Sequence, residues 1–195
     1  MSGRTREIWN KQCEGALQEA LSLGKGYVKI PLTQEQVTTI DLEDYELVRD
    51  TGPWYARWNP STKGFYAVHN TRDPEGRRIT EYLHHLLLNP PDDMQVDHIN
   101  HATLDNRRQN LRPATQSQNM GNYRPQKGTS SQYKGVYWHK AARKWQVRIQ
   151  VDGKQKHLGL FDCEEEAAAA YNRAALETFG EFAKLNTIKE RASDE

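Results

Sequence analysis

The clearest alternation of apolar and polar positions runs from Lys144 to Val151, Lys-Trp-Gln-Val-Arg-Ile-Gln-Val. A strand turns successive side chains to opposite faces. Trp145, Val147, Ile149 and Val151 are therefore expected to face a core, and Lys144, Gln146, Arg148 and Gln150 the other side. Asp152-Gly153 is a hairpin signal. The return run Lys154-Gln155-Lys156-His157-Leu158 puts Gln155 and His157 on the polar face. Asp162, with Glu165 three residues later, reads as a capping box. Behind it Ala167, Ala170, Tyr171, Ala174, Ala175 and Phe179 make a small-residue helical face, with Gly180 as a stop. Residues 133–186 thus predict three strands and a helix.

Upstream, Glu7 to Leu23 reads as a weak helix ending at Gly24 and Gly26, an accessory arm over 1–26. From Tyr27 the texture is β-like, with short apolar runs broken by Pro31, Gly52, Pro53 and Gly64. Trp54–Trp58 and Phe65–His69 form a hairpin pattern, Arg78–Tyr82 a further strand, and Leu83–Asn89 a helix stopped by Pro90 and Pro91. Residues 27–122 are read as one domain, 123–132 as a polar linker and 187–195 as a polar tail.

Composition changes this picture in two places. With 36% apolar residues, no run approaches the roughly 20 needed to span a membrane. The polar start, Met1 to Lys11, has no secretory h-region. A cytoplasmic location is expected, with no membrane and no protein partner implied. Cys13 and Cys163 stand alone, without a C-x-x-C pair, which argues against a disulfide framework or a zinc knuckle. The net charge is +1. Between Tyr123 and Leu160, however, nine basic residues meet one acid, Asp152, a local excess of +8. Such a stretch is the footprint of a polyanion binder.

Candidate chemistry concentrates in Val96-Asp97-His98-Ile99-Asn100, Asp105-Asn106-Arg107-Arg108-Gln109-Asn110-Leu111-Arg112 and Gln118-Asn119. On a flat strand Asp97 and His98 point to opposite sides, so a turn or bulge is expected to bring both to one site. Asp105 to Leu111 is expected to open a helix. Cleaving a phosphodiester needs an activated water and neutralisation of charge on oxygen. A neutral imidazole supplies the base. One carboxylate and one amide carbonyl make a hard-oxygen site suited to Mg²⁺ or Mn²⁺. Asp97 and Asn119 supply those oxygens and His98 the base. A zinc hydrolase built from His84, His85, His98 and His101 fits less well, with no H-E-x-x-H and no nearby cysteine.

The pattern Asp-His, eleven residues, Asn, eight residues, Asn resembles the HNH (ββα-metal) endonucleases of the phage and intron homing type. Tyr82-Leu83-His84-His85 matches the same subfamily, and the resemblance covers roughly residues 28–122. It implies metal ligation by Asp97 and Asn119, water activation by His98, a loop braced by Asn110, and an auxiliary role for His84. It also implies nicking of double-stranded DNA that leaves 5′ phosphate and 3′ hydroxyl ends. His85 stands where Arg is common and His101 where Gly is common.

The C-terminal segment resembles the plant ethylene-response (APETALA-like) DNA-binding domain. The carriers are Tyr133-Lys134-Gly135-Val136, His157-Leu158-Gly159-Leu160-Phe161, Ala167-Ala168-Ala169-Ala170-Tyr171 and Asn186. The resemblance implies a DNA face of Tyr137, His139, Gln146, Arg148, Gln150, Gln155 and His157, with Arg143 and Lys144 at its edge. Trp138 and Trp145 are assigned to the core. The expected fold is α+β: a β-rich N-terminal part ending in the ββα-metal unit, then a three-stranded antiparallel sheet packed on one helix. The competing function is a sequence-specific DNA-binding regulator with a vestigial HNH fold.

Overall fold

The computed structural model describes residues 3–122 and 129–188. Most of the expected linker and tail lies outside them. The fold is α+β and divides into two compact units, Met1–Pro113 and Ala114–Glu195.

In the first unit α1 (Gly3–Ser22) precedes an antiparallel pair, β1 (Tyr27–Pro31) and β2 (Val37–Asp41), with Tyr27 opposite Asp41. After α2 (Tyr45–Thr51) comes a three-stranded antiparallel sheet in the order β3 (Tyr55–Asn59), β4 (Gly64–Arg72), β5 (Arg78–Tyr82). The short α3 (Leu83–Leu88) ends at Asn89, whose φ of 45° breaks the helix one residue before Pro90. Then β6 (Gln95–His98) pairs with β7 (Leu111–Ala114). One core of Val28, Ile30, Ile40, Val48, Trp54, Leu83, Leu87, Val96 and Leu111 joins these elements. Each such side chain contributes roughly 1.5–3 kcal/mol on burial. Helix α1 is not a free arm, because Trp9, Cys13 and Ala20 are buried in that core.

The expected helix over Asp105–Leu111 does not form. Arg108–Asn110 makes a single 3-10 turn and Leu111 begins β7. The cause is tertiary. Thr39 N–H donates to Leu104 O (2.9 Å) and Asn106 N–H donates to Thr39 O (2.8 Å), so this stretch runs beside β2. The Asp105 and Asn110 side chains then bond within the loop itself, the local competition that keeps such residues out of helices.

In the second unit α4 (Gln116–Asn122) is followed by an antiparallel sheet, β8 (Val136–His139), β9 (Lys144–Val151) and β10 (Lys154–Phe161), with β9 central. Helix α5 (Glu164–Phe179) covers one face through Ala167, Ala168, Tyr171, Ala175 and Phe179, against Val136, Val147 and Ile149. Asp152 and Gly153 both have positive φ, 48° and 75°, the turn their sequence asks for. Gly135 is required by packing: with φ of 75°, a Cβ there would lie 2.2 Å from the Tyr171 ring. Asn186 closes the module, accepting from Lys134 N–H (2.7 Å) and donating to Lys134 O (3.1 Å).

Two local expectations are corrected. The α5 N-cap is Cys163 rather than Asp162, whose carboxylate is held by Lys144 Nζ at 3.1 Å. Glu165 accepts from the Cys163 thiol, and Glu164 from the Ser131 hydroxyl. Trp138 is not core: it is 40% exposed and meets half-buried Trp145 edge-on at 5.0 Å. Both lie on the face of Val136 and Val147, Trp138 in register with Trp145.

Candidate active site

Strand β6 carries Asp97 and His98 side by side, 5% and 6% exposed. They engage different partners, as alternation on a strand requires. Asp97 Oδ2 accepts from Arg112 Nε at 2.9 Å and pairs with Arg112 Nη2 at 2.8 Å. Arg112 stands on β7, so the strand pairing itself delivers the guanidinium to the carboxylate. His98 lies among rings, with centroids 5.0 Å from His84 and 6.1 Å from Tyr66. His84 in turn lies 4.9 Å from His85 and 5.3 Å from Tyr82. Both residues are buried, as is Val96 before them, so β6 is covered on both faces.

Asn110 braces the intervening loop. Its Oδ1 accepts from Asn100 N–H (3.0 Å) and its Nδ2 donates to Asp105 O (2.8 Å), while Ile99 N–H donates to Asn110 O (3.0 Å). His101 occupies the left-handed region at φ 62°, where glycine is the unstrained choice. Arg107 grips Asp105 through two bonds of 2.7 and 2.8 Å and holds its carboxyl below the usual range. Arg108 likewise donates two bonds to Asp44, at 3.0 and 2.7 Å. The last predicted site residue, Asn119, stands on α4 in the second unit, its N–H bonded to Thr115 O.

Burial dominates the electrostatics. It pushes the His98 imidazole below its ordinary 6.5, against opposing contributions from the Asn106 hydrogen bond and the charges of Asp97 and Asp105. Burial drives His84 much further down, helped by His98 and His85, and lowers His85 too. A neutral imidazole beside a compensated carboxylate is an arrangement fit for general-base hydrolysis. Sequence reasoning passed over Arg112, Asn106 and Thr38. The first two sit inside the quoted motif, but nothing in their spacing distinguished them from solvent-facing polar residues.

In the second unit Tyr137, Gln146, Arg148, Gln150, Gln155 and His157 share the sheet face away from α5. The register sets Tyr137 opposite Gln146, Arg148 opposite His157 and Gln150 opposite Gln155. Arg148 donates to Gln146 Oε1 (2.6 Å) and reaches Gln155 Oε1 (3.4 Å), which spreads the guanidinium over the exposed sheet. His139 and Lys144 form the next pair on the same face. His139 Nδ1 accepts from Ala142 N–H at 3.1 Å, and Lys144 is half-buried against Asp162. Arg143, exposed at φ 50°, lies in the adjoining turn.

The structure thus brings together a buried Asp-His pair on a short two-stranded ribbon, closed by an asparagine-braced loop, as the candidate site. Residues 89–121 match the HNH endonuclease family model, a segment that holds Asp97, His98, Asn110 and Asn119. The chain belongs to the HNH endonuclease family. It is 41% identical over 98 residues to an HNH endonuclease of Acanthamoeba polyphaga mimivirus, covering half of each protein. It is 32% identical over 95 residues to protein 3.8 of Escherichia phage T7, covering 49% of this chain and 78% of the phage protein. Over 59 residues it is 42% identical to an AP2-like ethylene-responsive transcription factor of Arabidopsis thaliana, 30% of this chain and 12% of the plant protein. The chain thus spans half the length of the mimivirus relative and far less of the plant one. Among the described residues no helix is long and apolar enough to cross a membrane.

Proposed function

We propose that the protein hydrolyses phosphodiester bonds of double-stranded DNA, nicking it in the manner of a homing endonuclease. The observation that carries this reading is the buried, neutral His98 beside Asp97 within the segment that matches HNH endonucleases. His98 takes the proton of the attacking water. Asn110 keeps the loop after β6 closed, so the imidazole is presented from a fixed backbone. His84, itself buried, packs edge-on against the His98 ring and helps shield that imidazole from bulk water.

HNH endonucleases use a divalent metal ion, and the donor chemistry here fits one. Asp97 offers a buried hard-oxygen carboxylate, and Asn119 is assigned the amide oxygen, a set suited to Mg²⁺ or Mn²⁺ rather than zinc. Such an ion neutralises charge on the phosphoryl and leaving oxygens. Arg112 already sets a positive charge beside the buried Asp97 carboxylate.

The second unit is assigned the grip on DNA. Its exposed face of Tyr137, Gln146, Arg148, Gln150, Gln155 and His157 is amide-rich and basic. A three-stranded sheet is narrow enough to approach the major groove. The likeness to plant transcription factors supports this role without transferring their target sequence.

The test is cleavage of supercoiled plasmid with Mg²⁺. Wild-type protein is expected to nick it, and His98→Ala to lose roughly 10²-fold or more in rate with DNA binding retained. Binding without cleavage by the wild type at any divalent ion would make the protein a DNA-binding regulator on an inactive HNH frame.

A further inference from the structure

The hydrogen bonds behind His98 determine which of its nitrogens carries the proton. Its Nε2 lies 3.2 Å from Asn106 Oδ1. Asn106 is wholly buried, and its Nδ2 donates to Thr38 Oγ1 at 2.8 Å. Thr38, also wholly buried, donates its hydroxyl to Leu104 O at 2.9 Å.

This chain has a direction. Two oxygens 2.9 Å apart are tolerated only when a hydrogen lies between them, and the carbonyl of Leu104 has none to give. The Thr38 hydroxyl hydrogen therefore points at Leu104, and Thr38 Oγ1 must accept from its other neighbour. That neighbour is then the NH₂ end of the Asn106 amide, which turns Oδ1 toward His98. A flipped amide would set Thr38's hydroxyl hydrogen in competition between two oxygens and leave one close oxygen pair unbridged. In a buried site an unmet polar contact costs about 1–3 kcal/mol. Backbone bonds lock the same stretch to β2, from Thr39 N–H to Leu104 O and from Asn106 N–H to Thr39 O.

We infer that Thr38 and Asn106 are positioning residues that fix His98 as its Nε2–H tautomer, so that Nδ1 is the nitrogen that takes the proton from water. The inference rests on the reading of His98 as the base and adds the atom and the relay that sets it. It also gives β2 a function: the strand anchors the relay that orients the base, 60 residues further along the chain.

The experiment is two-bond ¹H–¹⁵N correlation of full-length protein with ¹⁵N-labelled histidine, at a pH where the ring is neutral, with His98 assigned through His98→Ala. Wild type is expected to show a protonated Nε2 and a bare Nδ1. Thr38→Val removes the hydroxyl, so neither amide orientation is favoured and both tautomers should appear. A half-populated wrong tautomer removes only part of the 10²-fold or more that a general base supplies, so kcat should fall by about two- to ten-fold with KM unchanged. Thr38→Ser should restore both the single tautomer and the rate. A wild-type His98 protonated at Nδ1 overturns the inference without needing any variant. So does a Thr38→Val protein with unaltered spectrum and rate. If the tautomer behaves as expected but His98→Ala cleaves normally, the relay stands and the reading of His98 as base falls.

Discussion

Replacing Arg112 with Leu isolates the charge on Asp97. The guanidinium makes contacts of 2.9 and 2.8 Å to a single carboxylate oxygen, with the two side chains only 13% and 6% exposed. At an effective dielectric near 20, unit charges about 2.8 Å apart attract by roughly 6 kcal/mol. Most of that is spent against desolvation of the pair. Removing one partner of a buried pair costs about 3–5 kcal/mol, because the other charge stays buried and uncompensated. In a chain of this length each kcal/mol shifts Tm by about 2–4 °C, so Arg112→Leu should lower Tm by roughly 6–20 °C. The same variant reports on metal. A divalent ion that binds the folded state at about 100 times its Kd stabilises by about 2.7 kcal/mol, and a carboxylate without its arginine should hold one more tightly. Thermal melts with EDTA or millimolar Mg²⁺ should therefore show a larger Mg²⁺-dependent rise for Arg112→Leu than for wild type. Asp97→Asn/Arg112→Leu should show none. A variant that melts with wild type would refute the energetic argument. One that melts early but ignores Mg²⁺ would remove Asp97 from the metal site.

Three further outcomes are expected. The unfolded chain protonates His84 near its ordinary 6.5, whereas the fold resists this to much lower pH. Between those limits the unfolded state binds the extra proton, so Tm should fall as pH drops below about 6.5 and level off once the folded group also titrates; a flat Tm from pH 8 to 5 would contradict the burial argument. Arg148→Ala should cost on the order of 1–3 kcal/mol at the preferred site and relax one base position if it reads a guanine edge. If it contacts phosphate instead, all sequences weaken and the salt slope falls by about one; unchanged affinity and preference in a folded variant would take Arg148 off the interface. A chain ending at Asn122 should lose cleavage altogether. Helix α4, which bears Asn119, packs within the second unit: a Cβ on Gly121 would lie 2.7 Å from the Phe179 ring, and Lys134 Nζ donates to Met120 O and Gly121 O. Nicking by the shortened chain at the full-length rate would show that α4 needs none of that support.

Local pattern determined much of this protein. Period-two alternation from Lys144 to Val151, the Asp152-Gly153 turn and the small-residue face of α5 each act within a few residues, so strand, hairpin and helix were legible directly. The paired prolines after α3 and the Asp-His and Asn spacings were legible for the same reason. What the sequence could not show were contacts made across long separations. Asp105–Leu111 carries a helix-like pattern, yet β2, some 66 residues earlier, holds Leu104–Asn106 extended. Asp162 looks like a cap, but Lys144 has taken its carboxylate. The pairing of Asp97 with Arg112 arises only when β6 meets β7. The bond from Asn106 to Thr38 exists only because β2 passes behind the loop. The lowered affinity of His84 and His98 for protons is likewise a property of the folded interior, since the same imidazoles in an open chain would titrate near 6.5. Residue identity gave the candidate chemistry, and only packing supplied the burial and hydrogen-bond direction that set its protonation.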